Sequence, residues 1–224
     1  MSAIQQWSRK LLEIVRVQVD TVGLPPHGGL VVMNHISWLD VFVLNAVAPS
    51  RFVSKAEVAR WPLVGYLVSR SGTLYIERTR KTAARKTNHL ISEALAGGDR
   101  VAVFPEGTTT AGDRLLRFHA ALLQPAIASG GCVHPASLQY LDAAGLRSDA
   151  VSYVGDESLV GSVWQLLGAQ FVLARLQFDG AEAAAGRHRR ELADTLHATI
   201  SRRLEFDAPS PAPGTLGDPL AVPR

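Results

Sequence analysis

Asn34-His35-Ile36-Ser37-Trp38-Leu39-Asp40 follows an unbroken apolar run, Leu30-Val31-Val32-Met33. Such a run, bounded by a polar residue, reads as a buried strand. Ser37-x-x-Asp40 has the spacing of a helix start. On that reading the Ser37 hydroxyl caps a backbone N–H, and Asp40 occupies the first turn, where the helix dipole favours negative charge. His35 then closes the loop between strand and helix.

The same alternation continues outward from this stretch. Strand signals fall at Val17–Val22, Gly29–Met33, Arg51–Ser54, Thr73–Ile76, Arg100–Phe104, Cys132–Tyr140, Ala150–Val154 and Gln170–Phe178. Helical spacing falls at Ser37–Ala46, Val64–Ser69, Thr82–Leu95, Phe118–Ser129, Ser158–Leu167 and Gly186–Leu204, with Gly97-Gly98 a stop signal after the third. Strands alternating with helices predict one layered α/β domain over residues 1–206, its sheet mostly parallel and flanked by helices. Residues 207–224, rich in Pro and Gly with little to bury, read as a disordered tail. No internal repeat is present.

Composition bounds the function. With 224 residues, 47% hydrophobic and 19% charged, the chain can enclose one substantial core. The single cysteine, Cys132, excludes an internal disulfide framework. Its setting, Gly130-Gly131-Cys132-Val133, predicts a buried structural thiol rather than a nucleophile. Net charge is +3 and the pI is about 9.3, so clustered cations favour an anionic partner or surface.

The N-terminus lacks the apolar core and cleavage site of a signal peptide. Leu159 to Phe178 has roughly the 20 residues a membrane span needs. Gln165, Gln170 and Arg175 interrupt it, and it reads as a helix followed by a buried strand. Within residues 1–20, Ile4, Trp7, Leu11, Ile14 and Val15 recur at helical spacing, with Arg9, Lys10 and Arg16 on the polar side. This amphipathic helix can lie in a bilayer interface or pack on its own domain, and both readings are open here.

Two further strand ends carry chemistry. Val101-Ala102-Val103-Phe104-Pro105-Glu106-Gly107-Thr108-Thr109-Thr110 runs from an apolar strand into a carboxylate, a glycine and three hydroxyls. Ligands gather at the carboxyl ends of strands in open α/β sheets. Gly107 lets backbone approach a ligand, and the threonines can donate to oxygen. Gly72-Thr73-Leu74-Tyr75-Ile76-Glu77-Arg78 ends a strand in an arginine that can grip an oxyanion. Arg80, Lys81, Arg85 and Lys86 extend a basic patch behind it. Taken singly, each has an ordinary meaning as a turn or a solvated basic face.

Together these blocks resemble the glycerolipid acyltransferases of the 1-acylglycerol-3-phosphate acyltransferase type. Residues 34–40 resemble the family's N-H-x-S-x-x-D block, residues 72–78 its second, and 104–110 its third. Val133-His134-Pro135-Ala136-Ser137-Leu138-Gln139-Tyr140 resembles its fourth. The blocks stand in the family's order, and the resemblance covers Val17 to Phe178.

The resemblance implies transfer of a fatty acyl group from acyl-CoA or acyl carrier protein to the free hydroxyl of a lysolipid. Its first acceptor is 1-acyl-sn-glycerol-3-phosphate, giving phosphatidic acid in phospholipid biosynthesis. His35 is then the base, since an imidazole ordinarily titrates near neutral pH, and Asp40 orients it and stabilises its cation. Positions five apart differ by about 140° around a helix, so His35 must turn back toward Asp40 from the loop. The substrate hydroxyl is the nucleophile, leaving Ser37 as a cap. Glu106, Gly107 and Thr108 help bind the acceptor, Arg78 contacts its glycerol-phosphate part, and Pro135 shapes the pocket. No cofactor or metal is implied, and no nucleic-acid partner. The expected place is the cytoplasmic face of the membrane, bound peripherally, with an N-terminal anchor missing or truncated.

One departure stands out. Members acting on lysophosphatidic acid often carry Arg after the Gly-Thr of the third block, where this chain has Thr109. That leaves room for lyso-ornithine lipid or another lysolipid as acceptor, although Arg80 or Lys81 can supply the charge. A more distant rival, a metal-dependent hydrolase using His35, Asp40 and Glu106, lacks a second His at close ligand spacing.

Overall fold

The computed structural model describes residues 2–55, 74–76, 81–155 and 157–204. Its sheet is built around β2 (Gly29–Met33). Leu30, Val31, Val32 and Met33 are all 0% exposed, as a central parallel strand covered on both faces requires. Their side chains alternate between two cores. Leu30 and Val32 join one apolar cluster, and Val31 and Met33 the other.

The strand order is β1-β7-β6-β2-β5-β3-β4, with β8 paired to β6. These strands are β1 (Val17–Val22), β3 (Arg51–Lys55), β4 (Leu74–Ile76), β5 (Arg100–Val103), β6 (Cys132–Leu141), β7 (Val172–Phe178) and β8 (Glu182–Ala183). β2 lies parallel to β5 and β6, β5 to β3, β3 to β4, and β1 to β7; β6 pairs antiparallel with β7 and β8. The expected mostly parallel α/β sheet is what forms.

Two helical layers cover it. α1 (Ala3–Ile14), α2 (Asp40–Val47) and α5 (Leu159–Gly168) share one core with Val31 and Met33. α3 (Lys81–Ala96), α4 (Gln124–Ser129) and α6 (Arg189–Leu204) share the other with Leu30 and Val32. No helix among the described residues is long and apolar enough to cross a membrane. α1 packs on its own domain through Leu12 and Val15, while Trp7 (39%) and Ile14 (61%) stay exposed.

Several sequence expectations change. α2 begins at Asp40, three residues late, and the Ser37 hydroxyl caps nothing: it is buried, with no hydrogen-bond partner among the described residues. The amides of Ile36 and Ser37 instead donate to the Asp40 carboxylate, which holds residues 36–39 out of the helix. The helix expected over 118–129 is a 3-10 turn, Ala120–Leu123, followed by α4. Pro125 in the first turn of α4 has no N–H to continue an α-helical ladder from upstream.

The strand expected at Ala150–Val154 is a single 3-10 turn, Asp149–Val151, capped by the Ser148 hydroxyl. Cys132 is exposed rather than buried, because it opens β6 at the sheet's margin, opposite Ala183 of the two-residue β8. The amphipathic run ends as a helix at Ile14, where Arg16 takes a left-handed φ of 60° and the chain turns into β1. The Val64–Ser69 helix, Arg78 and the 207–224 tail lie outside the described residues.

Beyond Met33 the β2–β6 pairing is continued by a side chain. Asn34 Nδ2 donates to the Leu138 carbonyl at 2.9 Å, and the Leu138 N–H donates to Asn34 Oδ1 at 2.8 Å. This amide clasp fixes the level at which the chain leaves the sheet. Asn34→Ala strands both Leu138 backbone groups in a buried setting. It is expected to cost about 2–4 kcal/mol, read from denaturant unfolding; a loss under about 0.5 kcal/mol would mean water replaces the clasp.

Candidate active site

His35 leaves the sheet immediately after the Asn34 clasp, and four residues hold its ring and peptide. Its Nδ1 lies 2.8 Å from Asp40 Oδ2. Its ring stacks on Phe104, centroids 4.0 Å apart and planes 13° apart, and Phe104 stacks in turn on Phe52. Its peptide is gripped on both sides: the His35 N–H donates to Glu106 Oε1 at 2.8 Å, and the Thr110 N–H donates to the His35 carbonyl at 2.9 Å.

Asp40 is completely buried. Oδ2 also accepts from the N–H groups of Ile36 (2.7 Å) and Ser37 (3.0 Å), and Oδ1 accepts from the Tyr140 hydroxyl at 2.8 Å. Four donors around one carboxylate fit its ionised form and offset the cost of burying the charge. A carboxylate at Nδ1 assigns the ring proton to that nitrogen and the lone pair to Nε2. Nε2 has no protein hydrogen bond among the described residues, and the His35 side chain is 21% exposed. The result is an oriented imidazole with one ring nitrogen left unbonded among the described residues.

Tyr140 is held well above the ordinary tyrosine range, by burial first and then by the charge and hydrogen bond of Asp40. It therefore stays a donor at any working pH. Its position follows from the alternation of β6: Ala136, Leu138 and Tyr140 face the same core as α2.

Glu106 sits differently from the acceptor-facing role that the resemblance implied. It is 4% exposed, and its oxygens are occupied by the N–H groups of His35 and Leu116 (2.9 Å). Burial raises its pKa, opposed by those two N–H groups and by His35. Each oxygen thus accepts one backbone N–H, and little of the side chain reaches the surface. Gly107, beside it, has a left-handed φ of 73° and donates its N–H to the Phe104 carbonyl. Thr108 is exposed at the same turn. The Thr109 hydroxyl donates to the Tyr153 carbonyl, and the Thr110 hydroxyl donates to the Arg114 carbonyl.

Pro135 is buried within β6 opposite Val32, short of the level at which His35 emerges. There β6 passes from β8, paired at Val133, to β7, paired from Ala136. A residue without an N–H suits that change of partner. The structure thus brings together His35, Asp40 and the Glu106–Thr108 turn, and leaves Pro135 in the sheet. A cleft of about 660 Å³ between α1, β1 and the start of β7 contains none of these residues. No cluster of three or more His, Cys, Asp or Glu among the described residues is arranged to hold a metal ion.

Asn34, Phe104 and Tyr140 were given no role from sequence. All three stand in blocks that contain residues with an implied role. For Tyr140 the available signal was the period-two pattern of β6.

Known proteins resemble this chain in sequence and fold. The family model described as Acyltransferase matches residues 16–139. A 1-acyl-sn-glycerol-3-phosphate acyltransferase of Neisseria meningitidis is 35% identical over 211 residues, covering 92% of this chain and 82% of the relative. A lyso-ornithine lipid O-acyltransferase of Pseudomonas aeruginosa is 35% identical over 188 residues, covering 84% and 72%. The crystal structure of the 1-acyl-sn-glycerophosphate acyltransferase PlsC from Thermotoga maritima shares the fold, with a TM-score of 0.65 at 20% identity over 90% of this chain and 77% of that one. With the matched segment running from the start of β1 through the His35–Asp40 pair to β6, the chain belongs to this acyltransferase family.

Proposed function

We propose that this enzyme transfers a fatty acyl group from acyl-CoA or acyl carrier protein to the free hydroxyl of a lysolipid. The first acceptor is 1-acyl-sn-glycerol-3-phosphate, the substrate named for the Neisseria relative. The observation that carries this reading is the 2.8 Å His35 Nδ1–Asp40 Oδ2 contact, with the ring clamped and Nε2 left accessible.

In the proposed step Nε2 removes the acceptor hydroxyl proton as that oxygen attacks the thioester carbonyl carbon. Asp40 stabilises the resulting imidazolium. The tetrahedral intermediate then collapses, breaking the C–S bond, and the departing thiolate takes the proton back from His35. An ester and a free thiol result. No enzyme nucleophile is needed: the Ser37 hydroxyl is buried, and Cys132 opens β6 at the end of the sheet opposite His35. Glu106 acts through the His35 backbone. The Gly107–Thr108 turn and Arg78 are proposed to meet the acceptor, at a membrane surface that holds it on the cytoplasmic side.

A second reading, lyso-ornithine lipid as acceptor, is favoured by Thr109. Its hydroxyl is engaged with Tyr153, and no cation stands at that position to meet a phosphomonoester. Thr109→Arg is expected to raise the efficiency ratio of lysophosphatidic acid to lyso-ornithine lipid roughly tenfold, through a charge-assisted hydrogen bond. An unchanged ratio makes Thr109 neutral for acceptor choice.

Purified protein offered several lysolipids with both donors, read by mass spectrometry, tests the whole reading. His35→Ala is expected to lower turnover on the order of 100- to 10,000-fold with folding intact. Activity should survive EDTA, and loss on chelation would favour a metal-dependent hydrolase.

Tyr140→Phe removes one donor from Asp40 and keeps the packing. Turnover is expected to fall on the order of tenfold, with the acid limb of kcat/KM moved to higher pH. The reason is that an Asp40 with one donor fewer holds the imidazolium more tightly. A turnover loss with an unmoved pH profile would make Tyr140 a packing residue only. Stability should also respond. Because the folded state raises the Tyr140 pKa, the wild type loses stability as pH climbs past about 10, and the variant should lose less.

A further inference from the structure

α5 has an outer face that the reaction does not use. Val160 (79% exposed), Trp164 (78%) and Leu167 (47%) lie at positions i, i+4 and i+7, one apolar stripe along the helix. From Ser158 to Ala174 there is no ionisable residue. The opposite side of α5 is joined to the catalytic loop. Leu166 is buried in the core that contains Ile36 and Leu39, and Trp38 Nε1 donates to Ser162 Oγ at 3.1 Å. The segment leading into α5 is tied down as well: the Tyr153 N–H donates to the Ile36 carbonyl at 3.2 Å, and Gln165 Nε2 donates to the Asp149 carbonyl at 2.9 Å.

The face has company. Trp38 meets Phe42 edge-on at 5.9 Å, and Phe42 meets the half-exposed Trp7 of α1 at 5.5 Å. α1 and α5 therefore lie on the same side of the sheet, linked through residues of the His35 loop and α2. Exposed apolar side chains of both helices belong to the layer on this side of the sheet.

We propose that the Val160–Trp164–Leu167 face of α5 seats on a lipid bilayer and thereby presents the His35 loop to lysolipid held there. This rests on the lysolipid-acyltransfer reading, because a lipid acceptor places its own bilayer against the surface that surrounds the base. The chemistry of the stripe favours lipid over a protein partner. It carries no charge, its one polar group is the indole N–H of Trp164, and an indole flanked by aliphatic side chains suits the boundary between headgroups and acyl chains. Continuity with the catalytic loop through the Trp38–Ser162 bond gives the docking a purpose, since the helix that touches the bilayer also positions the residue between His35 and Asp40.

The test compares the full chain with a Val160→Ser/Trp164→Gln double variant. Both positions are exposed, so melting curves should coincide. Flotation with vesicles of phosphatidylcholine and phosphatidylglycerol is expected to show binding about tenfold weaker in the variant. Acyl transfer to long-chain lysophosphatidic acid in those vesicles should fall by a similar factor, while transfer to a short-chain, monomerically dispersed analogue stays within about twofold of wild type. Brominated lipids should quench wild-type tryptophan fluorescence, with most of that quenching absent in Trp164→Phe even though the Phe variant still floats. Equal flotation and equal vesicle activity would overturn the proposal. So would a dimeric wild type that the double variant converts to monomer with flotation unchanged, which would make the face a contact between copies. If neither protein transfers acyl groups to any acceptor, the functional reading fails, and the flotation and quenching comparison still decides the role of α5.

Discussion

A carboxylate with no access to water has to find its solvation inside the protein, and the active end of this fold follows from how Asp40 does so. Its donors come from His35, from two consecutive backbone amides, and from a tyrosine a hundred residues away. Removing water makes each of these interactions stronger and an absent one more damaging. The loop from Asn34 to Leu39 is consequently neither strand nor helix. Its amides turn inward to the charge, α2 starts only when they are spent, and the imidazole is drawn back over the helix it precedes. Tyr140 brings β6 into the same arrangement, so the strand register and the position of the imidazole depend on each other.

The parallel order of β2, β5 and β6 puts the ends of β2 and β5 side by side, and this is why two stretches 70 residues apart form one site. Asn34 fixes the height of His35 relative to β6, while Glu106 and Thr110 hold its peptide from the β5 side. Phe104 supplies the flat surface against the ring. The geometry around His35 is thus set mostly by buried side chains, Asn34, Asp40 and Glu106, bonded to backbone groups at the strand ends.

The strands of the two-sided core were legible from sequence because a run such as Leu30-Val31-Val32-Met33 leaves a chain little alternative. His35 and Asp40 were legible because their spacing rejects a common helix face and demands a turn-back. Less legible were features where a polar group outcompeted local preference. Ser37 looks like a cap by type and spacing, but the buried Asp40 captures the amides first. Ala150–Val154 looks like a strand by composition, but Ser148 and Asp149 start a tight turn that packs over the His35 loop. Cys132 looks buried from its small apolar neighbours, yet burial of a strand's first residue depends on what covers the sheet margin, and β8 is only two residues long. For Glu106 the family resemblance implies a part in binding the acceptor. Its use on two backbone amides depends on the path of residues 110–116, which no local pattern encodes.

The two-sided grip on the His35 peptide also bears on how such an enzyme diversifies. Glu106 and Thr110 bracket a turn of three residues, of which Gly107 is bound to its conformation by a left-handed φ and Thr109 is anchored to the loop before α5. Only Thr108 presents its side chain outward with no internal bond among the described residues. Exchange at Thr108 disturbs no internal side-chain bond among the described residues, whereas exchange at Thr109 gives up the bond to Tyr153. The turn can thus vary in chemistry at its tip while Glu106 and Thr110 keep the His35 peptide in place.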